Sequence, residues 1–304
     1  MIVVCGEALI DLIRMPAGEQ RARPGGGPFN AARALARLGV PTAFLGHLSE
    51  DGYGRELSHL LRDDGVAVEM ASFGPEPTTM ALADIETGGV ARYRFVIEGT
   101  SAPNLRLDMV PATFAAEVSG LHIGSLGVVL TPMADTVIQL ATRERGRRLI
   151  MLDPNIRPGL IDVDVYRRRL ESLIASSTIV KASDSDLEWM QPGAGYRDAA
   201  AQLLTKGVRM VAVTLGAKGA FGAHRGFRVQ VAAPAVKVVD TVGAGDAFGA
   251  GLLAWLHDHG LIHTDLRLEE DELRAALEHA CRVASLTCAR PGADPPRKEE
   301  MARR

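Results

Sequence analysis

Six short runs of aliphatic and β-branched residues recur along the chain, at Ile2–Cys5, Ala43–Gly46, Leu121–Gly124, Leu149–Leu152, Thr178–Lys181 and Val211–Leu215, and amphipathic stretches separate them. Runs this short and this apolar read as strands buried on both faces, the situation of a mostly parallel sheet covered by helices on each side. The stretches between them carry the helical period. Phe29–Leu38 sets Ala31, Leu35 and Leu38 on one face and stops at Gly39, and Ala247–His259 stops at Gly260. An α/β fold follows, with ligands expected at the carboxyl ends of its strands. The 304 residues suffice for one large α/β unit or two ordinary domains.

One region breaks the rhythm. Thr78–Glu86 and Ala91–Glu98 are extended runs flanking Thr87-Gly88-Gly89, with Tyr93, Phe95 and Ile97 alternating with Arg92 and Arg94, the signature of a hairpin. With the polar stretch Arg14–Pro24 it suggests a small β-rich element over one end of the core, either a lid or an ordinary surface hairpin. The Pro-rich, charged tail is expected to be loosely held beyond Ala293.

Composition narrows the function. Lys plus Arg is 34 against 37 Asp plus Glu, a net charge of −3, so no broad field for nucleic acid exists and an anionic ligand must be held locally. No run reaches the roughly 18 apolar residues of a membrane span. The N-terminus enters Ile2–Cys5 at once, as a core strand and not a signal peptide, so a cytoplasmic location is expected. Cys5, Cys281 and Cys288 are too few for a disulfide framework and form no C-x-x-C; Cys281 and Cys288, two turns apart on one helix face, read as core. His257-Asp258-His259 sits at a helix end, where the i, i+2 spacing turns the rings to different faces, and reads as structural.

The segment richest in chemistry is Asp240-Thr241-Val242-Gly243-Ala244-Gly245-Asp246, which follows a β-rich stretch (Val229–Val239) and opens a helix. Glycines at such a junction let backbone N–H groups close on an anion, and the helix start adds partial positive charge. Asp246 beside that nest is suited to take a proton from an attacking hydroxyl; the plainer alternative is a helix cap. Gly243, Gly245 and Gly249 also spell a near-dinucleotide fingerprint, a weak match because Asp246 would oppose a pyrophosphate, and no Walker-type loop occurs. Gly25-Gly26-Gly27 leads through Pro28 into Asn30, which can read hydroxyls of a polyol or serve as a cap. Asp11 lies just after the first strand. Asp153-Pro154-Asn155-Ile156-Arg157-Pro158 and Thr214-Leu215-Gly216-Ala217-Lys218-Gly219 each follow a strand.

These segments, in this order and spacing, resemble the PfkB/ribokinase family of sugar kinases, closest to its fructokinase-like branch. Cys5–Asp11 resembles the branch's opening strand, Gly25–Gly39 the first family signature and Asp240–Phe248 the second. The resemblance covers nearly the whole chain and implies a single Rossmann-like three-layer α/β/α sandwich (ribokinase-like) over 1–304, with a small β-sheet lid from about 12–24 and 76–100. It implies ATP-dependent transfer of the γ-phosphoryl group to a sugar hydroxyl, with Asp246 as base and Gly243, Ala244 and Gly245 as anion hole. Asp11, Gly26, Gly27, Asn30 and Arg157 would bind sugar. Lys181, Ser183, Thr214, Gly216, Gly219, Gly245, Cys281 and Ser285 would line ATP, Asp186 would reach Mg²⁺ through water, and Asp240 would hold a monovalent cation, K⁺ in some relatives. Lid-to-lid homodimers also occur among relatives.

Two departures stand out. The family's N-x-x-E appears as Ser183-Asp184-Ser185-Asp186, and the Tyr-Arg pair often found on the lid strand appears as Ile97-Glu98. Glu98 there would repel a sugar acid, so a neutral sugar, fructose first, is favoured over 2-keto-3-deoxygluconate or another ribokinase substrate. Arg92 or Arg94 would reverse that if either pointed into the pocket. A sugar- or nucleotide-sensing protein with weak turnover and, more remotely, a dinucleotide-dependent oxidoreductase are the rivals from other classes.

Overall fold

The computed structural model describes residues 1–14, 20–85 and 91–302. Its elements in chain order are β1 (Ile2–Cys5), β2 (Leu9–Arg14), β3 (Gln20–Gly25), α1 (Gly27–Arg37), β4 (Thr42–Leu45), β5 (His47–Ser49), α2 (Gly52–Asp63), β6 (Ser72–Gly74), β7 (Met80–Ile85) and β8 (Ala91–Val96). There follow β9 (Gly120–Gly124), α3 (Met133–Glu144), β10 (Leu149–Asp153), α4 (Val163–Ser176), β11 (Ile179–Ser183), α5 (Asp184–Met190), α6 (Gly195–Thr205) and β12 (Met210–Thr214). The last are β13 (Ala220–His224), β14 (Phe227–Val231), α7 (Ala244–Asp258), α8 (Glu270–Cys288) and α9 (Lys298–Met301).

The main sheet runs β14-β13-β12-β11-β10-β9-β1-β4, parallel from β4 to β12 and antiparallel from β12 to β14. Successive strand residues face opposite ways, so the sheet divides the core in two. Val4, Met151 and Ala212 pack under α1, α7 and α8, while Val3, Leu121, Leu152 and Val213 pack under α3, α4 and α6. The three-layer α/β/α expectation holds. Chain order reverses at β1, with β4 on one side and β9 on the other, and such a reversal opens a crevice at the carboxyl ends of the strands.

A second sheet, β3-β2-β7-β8, is separate from the first. The expected hairpin is its antiparallel β7–β8 pair; the turn at Thr87-Gly88-Gly89 lies outside the described residues, as does part of the stretch 14–24.

Three expectations need correction. The β-rich stretch before the glycine motif ends at Val231, and 232–243 is irregular up to the helix. Ile97 and Glu98 lie beyond the end of β8. The tail is anchored: buried Asp64 accepts from Arg33 Nε at 2.7 Å, Arg37 Nε at 2.8 Å and Arg297 Nη2 at 3.3 Å, and Arg37 Nη1 reaches the Pro295 carbonyl at 2.9 Å. The charged side chains that suggested a loose tail are the ones that hold it. Among the described residues, no helix is long and apolar enough to cross a membrane.

Candidate active site

The crevice at the β1/β9 reversal is where the chemistry collects. Glu7 follows β1, Ser125 follows β9, Asn155 and Arg157 follow β10, and Lys181 sits on β11. The starts of α1 (Gly26, Gly27, Asn30) and α7 (Gly243, Gly245, Asp246) point into the same space, and the second sheet roofs it with Leu9, Asp11, Ile13, Arg23, Ala81 and Phe95. Together with Asp240, Thr241, Val242, Gly292 and Ala293 they enclose a cavity of about 590 Å³.

Asp246 occupies the first turn of α7 and is 9% exposed. Its Oδ2 accepts a hydrogen bond from Asn30 Nδ2 at 2.9 Å. Burial pushes Asp246 up to about 6 and the Asp153 charge adds to this, while the Asn30 bond, Lys181 and Arg157 favour the carboxylate. A group poised there is a competent base at neutral pH. Lys181 Nζ bonds Asp153 Oδ2 at 2.7 Å, both side chains being buried. Burial opposes the ammonium charge, yet Asp153 first, then Asp246 and Asp186, hold it protonated. That ammonium lies 3.1 Å from where a Cβ on Gly245 would stand, so a buried cation backs the glycine nest.

Gly243 precedes α7 with φ +74, and a side chain there would meet Ala293 Cβ at 2.5 Å. A helix start leaves its first N–H groups without intrahelical acceptors. Ala244 N turns to Thr241 O at 3.3 Å, which leaves Gly245 and Asp246 N–H as the helix-start donors for an anion.

On the roof, Asp11 and Arg23 are direct cross-strand partners on β2 and β3 and share the cavity face. Burial pushes Asp11 up to about 6, against the pull of the Arg157 guanidinium. A Cβ on Gly25 would come within 2.2 Å of Asp11 Oδ2, so the glycine makes room for the carboxylate. Arg157 Nη1 is steadied by Asn155 Oδ1 at 2.7 Å.

The fold thus brings Asp11, Gly26, Gly27, Asn30, Arg157, Lys181, Asp240, Gly243, Gly245 and Asp246 onto one cavity, with Ala244 between two of its glycines. Ser183, Asp186, Thr214, Gly216, Gly219, Cys281 and Ser285 lie off it. Ser183 and Asp186 close a reciprocal cap at the start of α5, and Asp186 also accepts from Ile156 N at 2.8 Å. Gly219 is a glycine because a Cβ would strike Val231 O at 2.0 Å. Cys281 is buried with the α7–α8 core, as its helix face suggested, and Ser285 Oγ bonds Pro234 O at 3.3 Å. Sequence reasoning missed Glu7, Ser125, Arg23 and Phe95. Glu7 and Ser125 follow strand ends at the reversal, a signal readable only once the strand order is known.

Glu98 is exposed and away from the cavity, whereas Arg23 and Arg157 line it, so the charge argument from Glu98 against an acidic sugar fails.

Residues 1–300 match the pfkB family of carbohydrate kinases. A fructokinase of Rhizobium leguminosarum bv. trifolii is 39% identical over 267 residues, spanning 86% of this chain and 81% of that protein. Fructokinase-2 of Solanum lycopersicum is 30% identical over 97% of this chain and 92% of its own length. Among solved structures, fructokinase from Vibrio cholerae O395, with fructose, ADP and calcium bound, superposes with a TM-score of 0.84 at 26% identity, over 96% of this chain and 94% of that one.

Proposed function

This chain belongs to the pfkB family of carbohydrate kinases, and from that premise we propose that it transfers the γ-phosphoryl group of ATP to a hydroxyl of a small sugar, fructose first. The observation that carries the reading is the buried Asp246–Asn30 pair at the start of α7, facing Asp11 across one cavity. The sugar hydroxyl attacks the γ-phosphorus in line. Its proton passes to Asp246 as the new P–O bond forms, and the bond to the β-phosphate oxygen breaks to release ADP. Asp11 and Asn30 orient the sugar; Gly245 N–H, Asp246 N–H and the Lys181 ammonium face the transferring group. The second sheet acts as the lid that keeps water from competing.

Mg²⁺ would neutralise the phosphates. Asp186 has both carboxylate oxygens engaged by Ser183 and Ile156, so it suits contact through water and not direct ligation. Among the described residues, no group of three or more His, Cys, Asp or Glu is placed to hold a metal. Asp240 is the candidate for a monovalent cation. Its Oδ1 and Oδ2 also accept from Val242 N at 3.1 Å and Gly292 N at 2.9 Å, so a cation there would share atoms that tie two loops.

Positioning supplies the larger part of the acceleration, roughly 7 to 11 kcal/mol, against roughly 3 to 5 kcal/mol for a general base. A second reading, a sugar acid as acceptor, is favoured by Arg23 and Arg157 on the cavity wall. ADP release from Mg-ATP with fructose, ribose and 2-keto-3-deoxygluconate separates the two, and nucleotide binding without turnover on any sugar would overturn both in favour of a sensor.

A further inference from the structure

Glu7 follows β1 at the strand reversal, is 1% exposed and lines the cavity floor. Its Oε1 accepts the Gly27 N–H at 3.2 Å, and the Ser125 hydroxyl beside the same carboxyl favours its charged form. Its Oε2 is buried without any partner. On Gly27, a Cβ would stand 3.3 Å from Asp246 Oδ1 and 3.2 Å from Ser125 Oγ, so Asp246 and Ser125 crowd the glycine whose N–H Glu7 accepts.

The buried charges at this spot do not balance. Glu7, Asp153, Asp186 and Asp246 are buried carboxyls, and Lys181 is the buried cation, already bonded to Asp153. Arg157 faces the set from the loop after β10, Asn30 from α1 and Ser125 from the turn after β9; Cys5 and Tyr166 are the other titratable neighbours of Glu7. A buried carboxylate oxygen without a partner is strongly disfavoured, so one of these carboxyls carries a proton. Asp186 has both oxygens bonded by Ser183 and Ile156, Asp153 leaves Oδ1 without a partner but holds the Lys181 ammonium through Oδ2, and Asp246 holds the Asn30 amide, which leaves Glu7, whose orphaned Oε2 has no cation on its carboxyl.

We propose that Glu7 is a positioning residue that works as a neutral acid: protonated, it pins Gly27 against Asp246, and its ionisation adds a second buried negative charge that stops phosphoryl transfer. The proposal rests on the kinase reading with Asp246 as base. In support, burial pushes Glu7 up to about 7; the Ser125 hydroxyl and backbone N–H groups pull the other way, and the Asp246 charge adds to the rise.

The test is the pH profile of kcat/KM for the sugar in wild type and Glu7→Gln, the amide copying the shape of the neutral acid. Above about pH 7 wild type falls about tenfold per unit while the Gln variant does not, so the variant-to-wild-type ratio climbs about a hundredfold over two units. A flat ratio overturns the proposal. Ser125→Ala keeps Glu7 and removes a hydroxyl that favours its charged form, so it moves the alkaline limb to higher pH; an unmoved limb counts against the proposal equally. Wild type without sugar-dependent turnover, or turnover that survives Asp246→Ala, overturns the kinase reading and this proposal together, whereas a flat ratio in an Asp246-dependent enzyme overturns only the role of Glu7.

Discussion

Asn30 Nδ2 donates to Asp246 Oδ2 across 2.9 Å, although 216 positions separate the two residues in the chain. The bond joins the first turns of α1 and α7, so the amide that would read the sugar and the carboxylate that would accept its proton are fixed to one another before any ligand arrives. Preorganisation of this kind lets binding energy serve the transfer step.

Asp246→Ala lowers kcat by about 10²- to 10⁴-fold with little change in the KM for ATP, as loss of a general base should. In wild type, because burial lifts Asp246 to about 6, the base is deprotonated above that pH and activity is lost as pH falls through about 6. Steady-state kinetics across pH check both, and near-normal turnover by the Ala variant removes Asp246 from the role.

Asn30→Ala takes away a bond that favours the charged carboxylate, so Asp246 rises further and the acid limb moves to higher pH. Sugar KM rises as well. An acid limb that stays in place would mean that the bond does not tune the base.

Lys181→Met strands the Asp153 carboxylate in the core and should cost about 3 to 5 kcal/mol in denaturant unfolding. Adding Asp153→Leu to it recovers much of the stability but none of the phosphoryl transfer, because the cation behind Gly245 is gone. Recovery of activity in the double variant would place Lys181 in a purely structural role.

Gly25→Ala drives a methyl into Asp11, whose Oδ2 lies 2.2 Å from the new Cβ position. The sugar KM is expected to rise about tenfold or more while the ATP KM holds, since only the lid-side carboxylate is displaced. Equal changes in both constants would point to general misfolding, which thermal unfolding resolves.

Glu7 also leaves a mark on stability. Its carboxyl is raised from 4.5 to about 7 in the folded chain, so the unfolded chain loses its proton first and stability falls as pH climbs between those values, levelling above about 7. The full effect is about 3 kcal/mol. Glu7→Gln, which cannot ionise, gains melting temperature relative to wild type at about pH 8 more than at about pH 5. A difference independent of pH would show that Glu7 keeps its ordinary value.

The layers and the chemistry on offer are set locally, by neighbouring residues. Six apolar runs at strand length and the helices between them dictate a parallel α/β sheet, because local hydrogen bonding and burial periodicity are properties of neighbouring residues. The glycine nest before Asp246 and the Gly25–Asn30 start of α1 are legible for the same reason: each is a local backbone requirement written in adjacent residues. Which of those groups meet is settled by long-range packing. That β1 lies between β4 and β9 sets Glu7 beside Ser125, and the packing of α1 on α7 sets Asn30 on Asp246; such contacts join positions more than a hundred residues apart, about which local pattern carries no information. The same limit explains the misreading at Glu98, off the cavity by its place past β8. Burial, a property of the assembled layers, then raises Glu7, Asp11 and Asp246 toward neutral pH, and no inspection of their neighbours in the chain could have shown it.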